Sequence, residues 1–216
     1  MSGATEDHAI ASTASVISPE AESLLKEWFG DDLDSLQAVT ARATTWFARS
    51  PEFDARLRER FATLPDRALN GDLDPWQGNP RSSLALVLAL DQLPRNLFRG
   101  TARSFAYDAT AQETALKAIG RGFDAMLHPV EAVFLYMPFE HAEDLGLQQK
   151  SVDLFRALLN RAPPPLRPQF ESFICYAERH HAVIERFSRF PHRNATLNRT
   201  SSARELEYLE SGGERF

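Results

Sequence analysis

The spacing of the apolar residues constrains the fold of this 216-residue chain more than any other feature of its sequence. Apolar side chains recur at intervals of three and four residues over most of the chain, which is the period of an α-helix with one buried face. No segment sustains the polar–apolar alternation that marks a half-buried β-strand. We therefore predict an all-α fold of about eight helices, which short turns would arrange as antiparallel pairs.

Capping signals place the ends of these helices. Ser18 and Ser50 each stand directly before a proline, the usual order of an N-cap and a first helical residue. Gly30 is expected to end the first helix, and a capping box from Ser202 to Glu205 begins a short last helix. The helices between them are predicted at residues 36–48, 50–70, 84–90, 104–120, 129–136, 141–161 and 165–187. Residues 1–17 are small and polar and are predicted to form a disordered tail, followed by a single helical domain over residues 18–216.

Residues 84–90 form the longest uninterrupted apolar run of the chain and contain only leucine, alanine and valine. This composition favours a helix buried on every side, which Pro94 is expected to end. A membrane-spanning helix needs about 20 apolar residues, so no membrane span is predicted. The N-terminal residues lack the pattern of a secretory signal, and a cytoplasmic location is therefore expected.

Arginine is concentrated in two short segments of a chain whose net charge is −6. Residues 91–103 hold three arginines against one aspartate, and residues 185–199 hold four arginines against one glutamate. Two such segments can focus a positive potential on one anion-binding site. The alternative is that these arginines pair with the many carboxylates of the chain. The composition favours neither interpretation over the other.

Each arginine-rich segment contains an arginine followed by an asparagine, close after the apolar end of a predicted helix. A guanidinium binds a carboxylate or phosphate at two points, and a neighbouring amide can orient the bound group. The predicted ligand-binding residues are these pairs and their polar neighbours: Asp91, Arg95, Asn96, Arg99, His141, Arg189, His192, Arg193 and Asn194. In the alternative interpretation these residues fix helix ends, and Arg95 forms an ion pair with Asp91 four residues earlier.

His180 and Glu143 are the candidates for acid–base catalysis. His180 falls on the apolar stripe of its predicted helix, where it would serve as a general base or proton shuttle, or simply as a hydrogen-bonded core residue. Glu143 and His141 are expected to open the helix predicted at 141–161, where a carboxylate also suits the helix dipole. A structural role therefore stays open as the alternative for both candidates.

The sequence lacks the complete motifs of several known classes of binding and catalytic site. Glu178 and His181 form half of a carboxylate-bridged di-metal pattern, but the second half is absent. The glycine-rich loops that bind nucleotides and the nucleophile elbow of hydrolases are absent as well. The sequence therefore predicts no metal and no cofactor.

Three segments of the sequence resemble the conserved motifs of domain-of-unknown-function family 924. They cover residues 86–100, 141–148 and 180–194, and the Trp28-Phe29-Gly30 triplet and the final Gly-Gly-Glu-Arg-Phe agree with them. The resemblance implies an all-helical fold similar to tetratricopeptide (TPR) repeat proteins, and a link of some relatives to aminoacyl-tRNA-dependent peptide-bond chemistry. The family usually has glycine where this chain has Ser188, which puts the local backbone geometry in question because glycine alone readily adopts positive φ.

Two functional hypotheses follow from these features. In the first, the predicted residues form a pocket for an anionic small molecule or the acceptor end of a tRNA, and an aminoacyl transfer takes place there. In the second, the chain is a TPR-like scaffold that binds a peptide or protein without catalysis. The leucine-rich helical faces would also support a homodimer.

Overall fold

A computed structural model describes residues 16–216, in which the chain is helical and contains no β-strand. The all-α prediction is confirmed. Residues 1–15, which make up most of the predicted tail, lie outside the described part of the chain.

The helices alternate with short turns along the chain. They are α1 (Pro19–Phe29), α2 (Leu36–Phe47), α3 (Pro51–Phe61), α4 (Leu64–Leu69), α5 (Pro80–Val87), α6 (Leu93–Leu97), α7 (Asp108–Gly120), α8 (Phe123–Met126), α9 (Pro129–Glu140), α10 (Leu145–Leu159), α11 (Arg167–Phe187) and α12 (Ala203–Glu210). Turns of 3₁₀ helix lie at Asp74–Gly78, Ala102–Phe105, Pro164–Leu166 and Pro191–Arg193, and a π-helical turn, Leu88–Gln92, joins α5 to α6.

The predicted serine caps are present. The Ser18 hydroxyl accepts a hydrogen bond from the Ala21 amide at 3.1 Å, and Ser50 caps α3 in the same way. Ser202 and Glu205 form the predicted capping box of α12. The helix predicted over residues 50–70 is broken, however, because Pro65 has no N–H group to donate to the carbonyl of Phe61.

The buried helices α5 and α9 hold the core together. α5 contacts α1, α7 and α9, and the hairpin of α10 and α11 packs against α9. On the opposite side, the ring of Phe134 in α9 meets Trp28 and Trp46 at centroid distances of 5.7 and 4.9 Å. The indole of Trp46 also donates to the Trp28 carbonyl at 2.9 Å, so this aromatic contact is fixed in orientation.

Pro94 does not end the buried helix, and that prediction is wrong. The π turn places the amide of Leu93 on the carbonyl of Leu88, five residues back instead of four. The hydrogen-bonding pattern is thereby shifted so that Pro94 falls in the first turn of α6, where its missing N–H group costs little. The polypeptide stays helical from Pro80 to Leu97.

His141 does not open α10, and α9 does not end at residue 136. The buried apolar run continues through Phe139, so α9 extends to Glu140 and His141 caps its C-terminus by donating its amide to Met137 at 3.0 Å. α10 begins after Asp144, whose carboxylate accepts from the Leu147 amide at 2.8 Å. The carboxylate that suits the helix start is therefore Asp144, and Glu143 is free to point elsewhere.

Ser188 follows α11 in the left-handed region, with φ at 57°. Its amide donates to the carbonyl of Ile184 at 2.7 Å and closes the helix end. The positive φ that a glycine would adopt easily is therefore kept with a serine, at a conformational cost of about 1–2 kcal/mol.

Candidate functional site

A cluster of buried and half-buried ionisable side chains lies where the π turn with α6, α7, α9, α11 and the 3₁₀ turn Pro191–Arg193 meet. Here it is called the buried cluster, and its members are Asp91, Arg95, Asp108, Glu140, His141, His180 and Arg193. Its members come from five parts of the chain. The predicted pairs Arg95-Asn96 and Arg193-Asn194 each contribute their arginine to it, since Arg95 and Arg193 both approach Asp108.

Asp91 is the fully buried centre of this cluster. It lies in the π turn, and such turns are frequent at functional sites. Its Oδ1 lies 2.8 Å from Nδ1 of His141 and 3.1 Å from Nη1 of Arg95, and its Oδ2 accepts from Nε2 of the Gln92 side chain at 2.6 Å. Burial alone would raise the pKa of this carboxyl, but the charge of Arg95 and the contact with His141 hold it at about 2. Asp91 is therefore a carboxylate at neutral pH.

His141 is oriented by that carboxylate. Because an ionised carboxylate can only accept, Nδ1 of His141 carries the proton and Nε2 carries the lone pair. No hydrogen bond reaches Nε2 from any residue between 16 and 216. Burial and then the charge of Arg95 lower the pKa of His141, against the opposite effect of Asp91. The imidazole is thus neutral and has a free proton acceptor.

Arg193 is a buried cation with incomplete compensation. Its Nη1 donates to the His141 carbonyl at 3.1 Å and lies 3.6 Å from Asp108, which already forms two bonds of 3.1 Å with Arg95. Its Nε is buried without a partner among the described residues. The guanidinium also lies over the ring of Phe190, 4.3 Å from its centroid. Burial and the neighbouring Arg95 lower the pKa of Arg193 to about 10, so it remains charged at neutral pH.

Glu140 and His180 form the other end of the buried cluster. Nδ1 of His180 donates to the Tyr176 carbonyl at 2.8 Å and lies 3.2 Å from Oε1 of Glu140. Burial, and then the charge of Asp91, raise the pKa of Glu140 to about 8. Burial also holds the pKa of His180 well below its usual range. At neutral pH this end of the cluster is therefore a protonated carboxyl beside a neutral imidazole.

Two cavities open onto the buried cluster, and His141 lines both. The first, the α7 cavity, has a volume of about 360 Å³ and is lined by Phe105, Asp108, Glu143 and Arg193 as well as His141. The second, the tail cavity, has a volume of about 540 Å³. Glu140 and His180 lie at its polar end, and its other walls are Phe155, Phe173, Tyr176 and the C-terminal residues.

Several of the other predicted residues lie in separate ion-pair networks, which we call the arginine clamps. Arg99 pairs with Asp54, Arg189 with Glu205, and Arg199 with Glu143. Two predicted asparagines join these clamps: Asn96 donates to Asp54 at 2.7 Å, and Asn194 donates to Glu205 at 3.3 Å.

Glu143 and His192 lie beside the buried cluster without joining its hydrogen bonds. Glu143 lines the α7 cavity, but its carboxylate is bound by Arg199 at 2.5 and 2.9 Å and by the Phe190 amide at 2.8 Å. Burial opposes ionisation of Glu143, yet the bonds from Arg199 keep its pKa lowered. His192 has a buried Nδ1 without a partner within residues 16–216, and burial lowers its pKa to about 4.

Sequence reasoning missed Asp108 and Glu140. Glu140 stands at the end of the apolar run of α9, and a lone carboxylate in such a context is the signal that was available. Asp108 gave no comparable signal, because a carboxylate in the first turn of a helix is ordinary.

Between residues 16 and 216 there is no group of three or more histidine, cysteine or carboxylate side chains placed to hold a metal ion. Glu178 of the half di-metal pattern pairs instead with Arg156 at the surface. In the same part of the chain, every helix is too short or too polar to cross a lipid bilayer.

Comparison with known proteins gives a family and a fold relative. The model of a family of bacterial proteins of unknown function, DUF924, matches residues 24–213. A solved structure of a protein of unknown function from Agrobacterium tumefaciens is 38% identical, with a TM-score of 0.74, and the similarity covers 89% of this chain and 97% of that one. None of the curated proteins is similar enough to this chain to count as a match.

Proposed function

For this chain, which belongs to the DUF924 family of bacterial proteins, we propose that the α7 cavity binds an anionic substrate and that His141 acts there as a general base. The observation that carries the proposal is the convergence of an incompletely compensated buried cation, Arg193, and an oriented neutral histidine on one cavity. Perturbed ionisable groups in a cleft are typical of functional sites.

Arg193 supplies the anion-binding half of the site. A buried guanidinium with an unsatisfied N–H group gains a hydrogen bond and a counter-charge when a carboxylate or phosphate enters. Asp108 lies 3.6 Å from Arg193 and is shared with Arg95, so it compensates Arg193 only in part. An anionic group therefore completes a site that the protein leaves incomplete.

His141 supplies the base. A carboxylate that holds Nδ1–H fixes the tautomer and stabilises the imidazolium that forms when Nε2 takes a proton. Burial lowers the pKa of His141, which keeps it in the basic form at neutral pH. Glu143 and His180 take supporting places in this proposal: Glu143 fixes Arg199 at the rim, and His180 faces the tail cavity.

The reaction class we propose is acyl transfer, with an aminoacyl ester at a tRNA acceptor end as the donor. An amine attacks the ester carbonyl, a C–N bond forms and the C–O bond to the ribose breaks. His141 takes the proton from the attacking nitrogen and returns it to the departing ribose oxygen. The phosphate of the acceptor end is the anionic group for Arg193.

The arginine clamps favour a second candidate function, a scaffold without catalysis. Arg99, Arg189 and Arg199 each bind a carboxylate of the same chain, as expected of struts between helices. In that case Arg193 is one more strut, and the partner is a peptide or protein on an outer face. A homodimer and a cytoplasmic location remain predictions under either candidate.

A binding titration separates the two candidates. Inorganic phosphate, bulk aminoacyl-tRNA and deacylated tRNA are titrated against the purified protein at several salt concentrations. The variant Arg193→Met removes the charge at nearly constant side-chain length, and Arg156→Met is the matched control at a surface ion pair. We expect salt-sensitive binding in the wild type and the control, and its loss in a folded Arg193→Met. Absence of binding of all three probes at low salt would leave only the scaffold.

A single-turnover assay tests the base. With a primary amine as acceptor, loss of the aminoacyl group from tRNA is followed in the wild type and in His141→Gln. We expect the rate to fall by about 10²–10⁴-fold while phosphate affinity is retained, because Gln keeps a donor for Asp91 but cannot take a proton. An unchanged rate in His141→Gln removes the histidine from the mechanism and leaves a binding site only.

A further inference from the structure

The C-terminal residues 212–216, here called the strap, lie across the tail cavity. Gly213 packs so closely on Tyr208 that an added Cβ would stand 2.6 Å from the ring. Glu214 donates its amide to the Tyr208 hydroxyl at 2.8 Å and accepts two hydrogen bonds from Arg179. Phe216 then stacks on His180, with ring centroids 3.4 Å apart and planes inclined by 21°. An aromatic ring therefore already sits against the polar end of the cavity.

We infer that the tail cavity is a binding site for a neutral aromatic carbonyl compound, whose ring takes the place that Phe216 now occupies on His180.

The residues that line the tail cavity indicate that the ligand contains an aromatic ring. Besides the face of His180, the cavity presents Phe155, Phe173, Met137 and Val133, so most of its surface is apolar. A cavity of this makeup, with a few polar groups at one end, is the usual form of a small-molecule site. A flat ring stacks on the imidazole and meets the edges of the phenyl rings, as Phe216 does with Phe190 at 5.9 Å and 81°.

The carbonyl part follows from Glu140. Apart from its contact with His180, no hydrogen bond to this carboxyl occurs within residues 16–216. The proton of His180 Nδ1 is already given to the Tyr176 carbonyl. Burial in the cavity wall, and then the charge of Asp91, raise the pKa of Glu140, so the carboxyl has a proton to donate. A carbonyl oxygen on the ring substituent is the matching acceptor.

A neutral ligand fits better than an anion. The two arginines at the cavity mouth are engaged, Arg179 with Glu214 and Arg215 with the Leu209 carbonyl. At the polar end of the cavity, the charge of Asp91 acts on Glu140 and would repel an anion placed beside that carboxyl. This separates the tail cavity from the α7 cavity, where Arg193 lies.

The strap is held in part by groups that are exposed to solvent. Its ion pair joins Arg179 and Glu214, whose side chains are 42% and 32% exposed, and such pairs contribute little to stability. Phe216 is itself 38% exposed. Gly212, with φ at +84°, marks the point where the chain turns from α12 into the strap. The inference does not rest on the proposed function, because the ligand has no anionic group and contacts neither Arg193 nor Asp108.

The experiment is a calorimetric titration of the full chain with three probes. Benzamide has both the ring and the carbonyl, cyclohexanecarboxamide lacks the aromatic face, and toluene lacks the carbonyl. We expect benzamide to bind most tightly of the three, and nuclear Overhauser contacts to join its ring protons to the His180 imidazole.

Two strap variants test the displacement. Phe216→Ala removes the competing ring, and Glu214→Gln loosens the strap without altering the ring. Both variants should lower the dissociation constant of benzamide, on the order of 3–10-fold. The reason is that the apparent dissociation constant is the intrinsic one divided by the fraction of molecules with an open strap. Met126→Ala, a truncation at an exposed apolar side chain outside the cavity, should leave the affinity unchanged.

Three results would overturn the inference. They are no benzamide binding to folded Phe216→Ala at millimolar concentration, equal affinity for cyclohexanecarboxamide, and an affinity that neither strap variant changes. None of these results bears on phosphate binding at Arg193, so the failure of this inference and that of the proposed function are distinguishable.

Discussion

The buried cluster and the arginine clamps are built from the same residue types and behave differently. In the clamps, each guanidinium meets a carboxylate of the same chain, as Arg189 meets Glu205 at 2.6 and 2.7 Å. In the buried cluster, Arg193 has an unsatisfied Nε, His141 has a free Nε2, and Glu140 has a raised pKa. The difference teaches that an arginine is fully paired or left with an unsatisfied group according to the partners that the rest of the fold brings to it.

The largest effect that would test this comparison is the removal of the charge at Asp91. Asp91→Asn keeps the shape but removes the buried negative charge that Arg95 shares with Asp108 and the carboxylate that accepts from His141, and we expect a loss of about 3–5 kcal/mol in the free energy of unfolding. Asp66→Asn is the control, because its side chain is half exposed and still offers an oxygen to the Tyr107 hydroxyl, so it loses only the surface pair with Arg103 and should cost less than about 1 kcal/mol. Urea unfolding of both variants measures the difference, and equal losses would contradict it.

Next in size is the pH dependence that Glu140 introduces. The folded protein holds the Glu140 proton more tightly than the unfolded chain does, because the pKa is raised to about 8 in the fold. Stability from this group is therefore complete below about pH 4.5 and is lost as the pH rises towards 8, by roughly 4 kcal/mol.

Glu140→Gln should abolish this loss, since the amide does not titrate. The difference in unfolding free energy between wild type and variant is measured by urea titration at pH 5, 6, 7 and 8. His141, His180 and Asp91 face Glu140 and are present in both proteins, so their contributions largely cancel. A difference that stays constant over this range would show that Glu140 is ionised in the fold.

A smaller effect separates two arginines directly. Arg199→Met deprives Glu143 of its two bonds and should cost about 1–3 kcal/mol. Arg193→Met removes a buried charge that is incompletely paired, and Asp108 keeps Arg95, so the change should stay within about 1 kcal/mol. Thermal unfolding of the pair is the measurement. If Arg193→Met proves the more costly, Arg193 is a strut and the comparison fails.

The smallest expected effect on stability comes from the backbone conformation of Ser188, which directly precedes Arg189 of an arginine clamp. Ser188→Gly relieves a positive φ of 57° just before Arg189, and we expect a stabilisation of about 1 kcal/mol. Phosphate binding at Arg193 should be unaffected. Differential scanning calorimetry and the same phosphate titration check both parts, and a destabilised variant would mean that the Ser188 side chain makes a contact worth more than the strain.

Local signals explain what could be predicted from the sequence. The caps at Ser18, Ser50 and Ser202 depend on neighbouring residues only, and the Asp91–Arg95 pair depends on one helical turn. The inward position of His180 followed from helical spacing and is confirmed by its burial.

The sequence could not show which distant residues the predicted side chains would contact. Arg95 and Asn96 are adjacent in sequence, but neighbours on a helix point about 100° apart, so one reaches Asp108 and the other Asp54. The raised pKa of Glu140 depends on burial between helices and on Asp91, 49 positions earlier by residue number. These partners lie far away in the sequence, so the pattern of neighbouring residues does not predict them.

The π turn at Leu88–Gln92 makes this site sensitive to chain length as well as to residue identity. It accommodates one residue more than an α-helical turn within nearly the same rotation, so deleting a residue there would restore a regular helix and change the directions of the side chains inside the turn relative to the flanks. Asp91 and Arg95 could not then both keep their directions relative to the buried face of α5. Losing or gaining one residue in this helix is therefore expected to disturb the site more than most substitutions do. Relatives that keep the buried cluster are expected to keep the same number of residues in this turn.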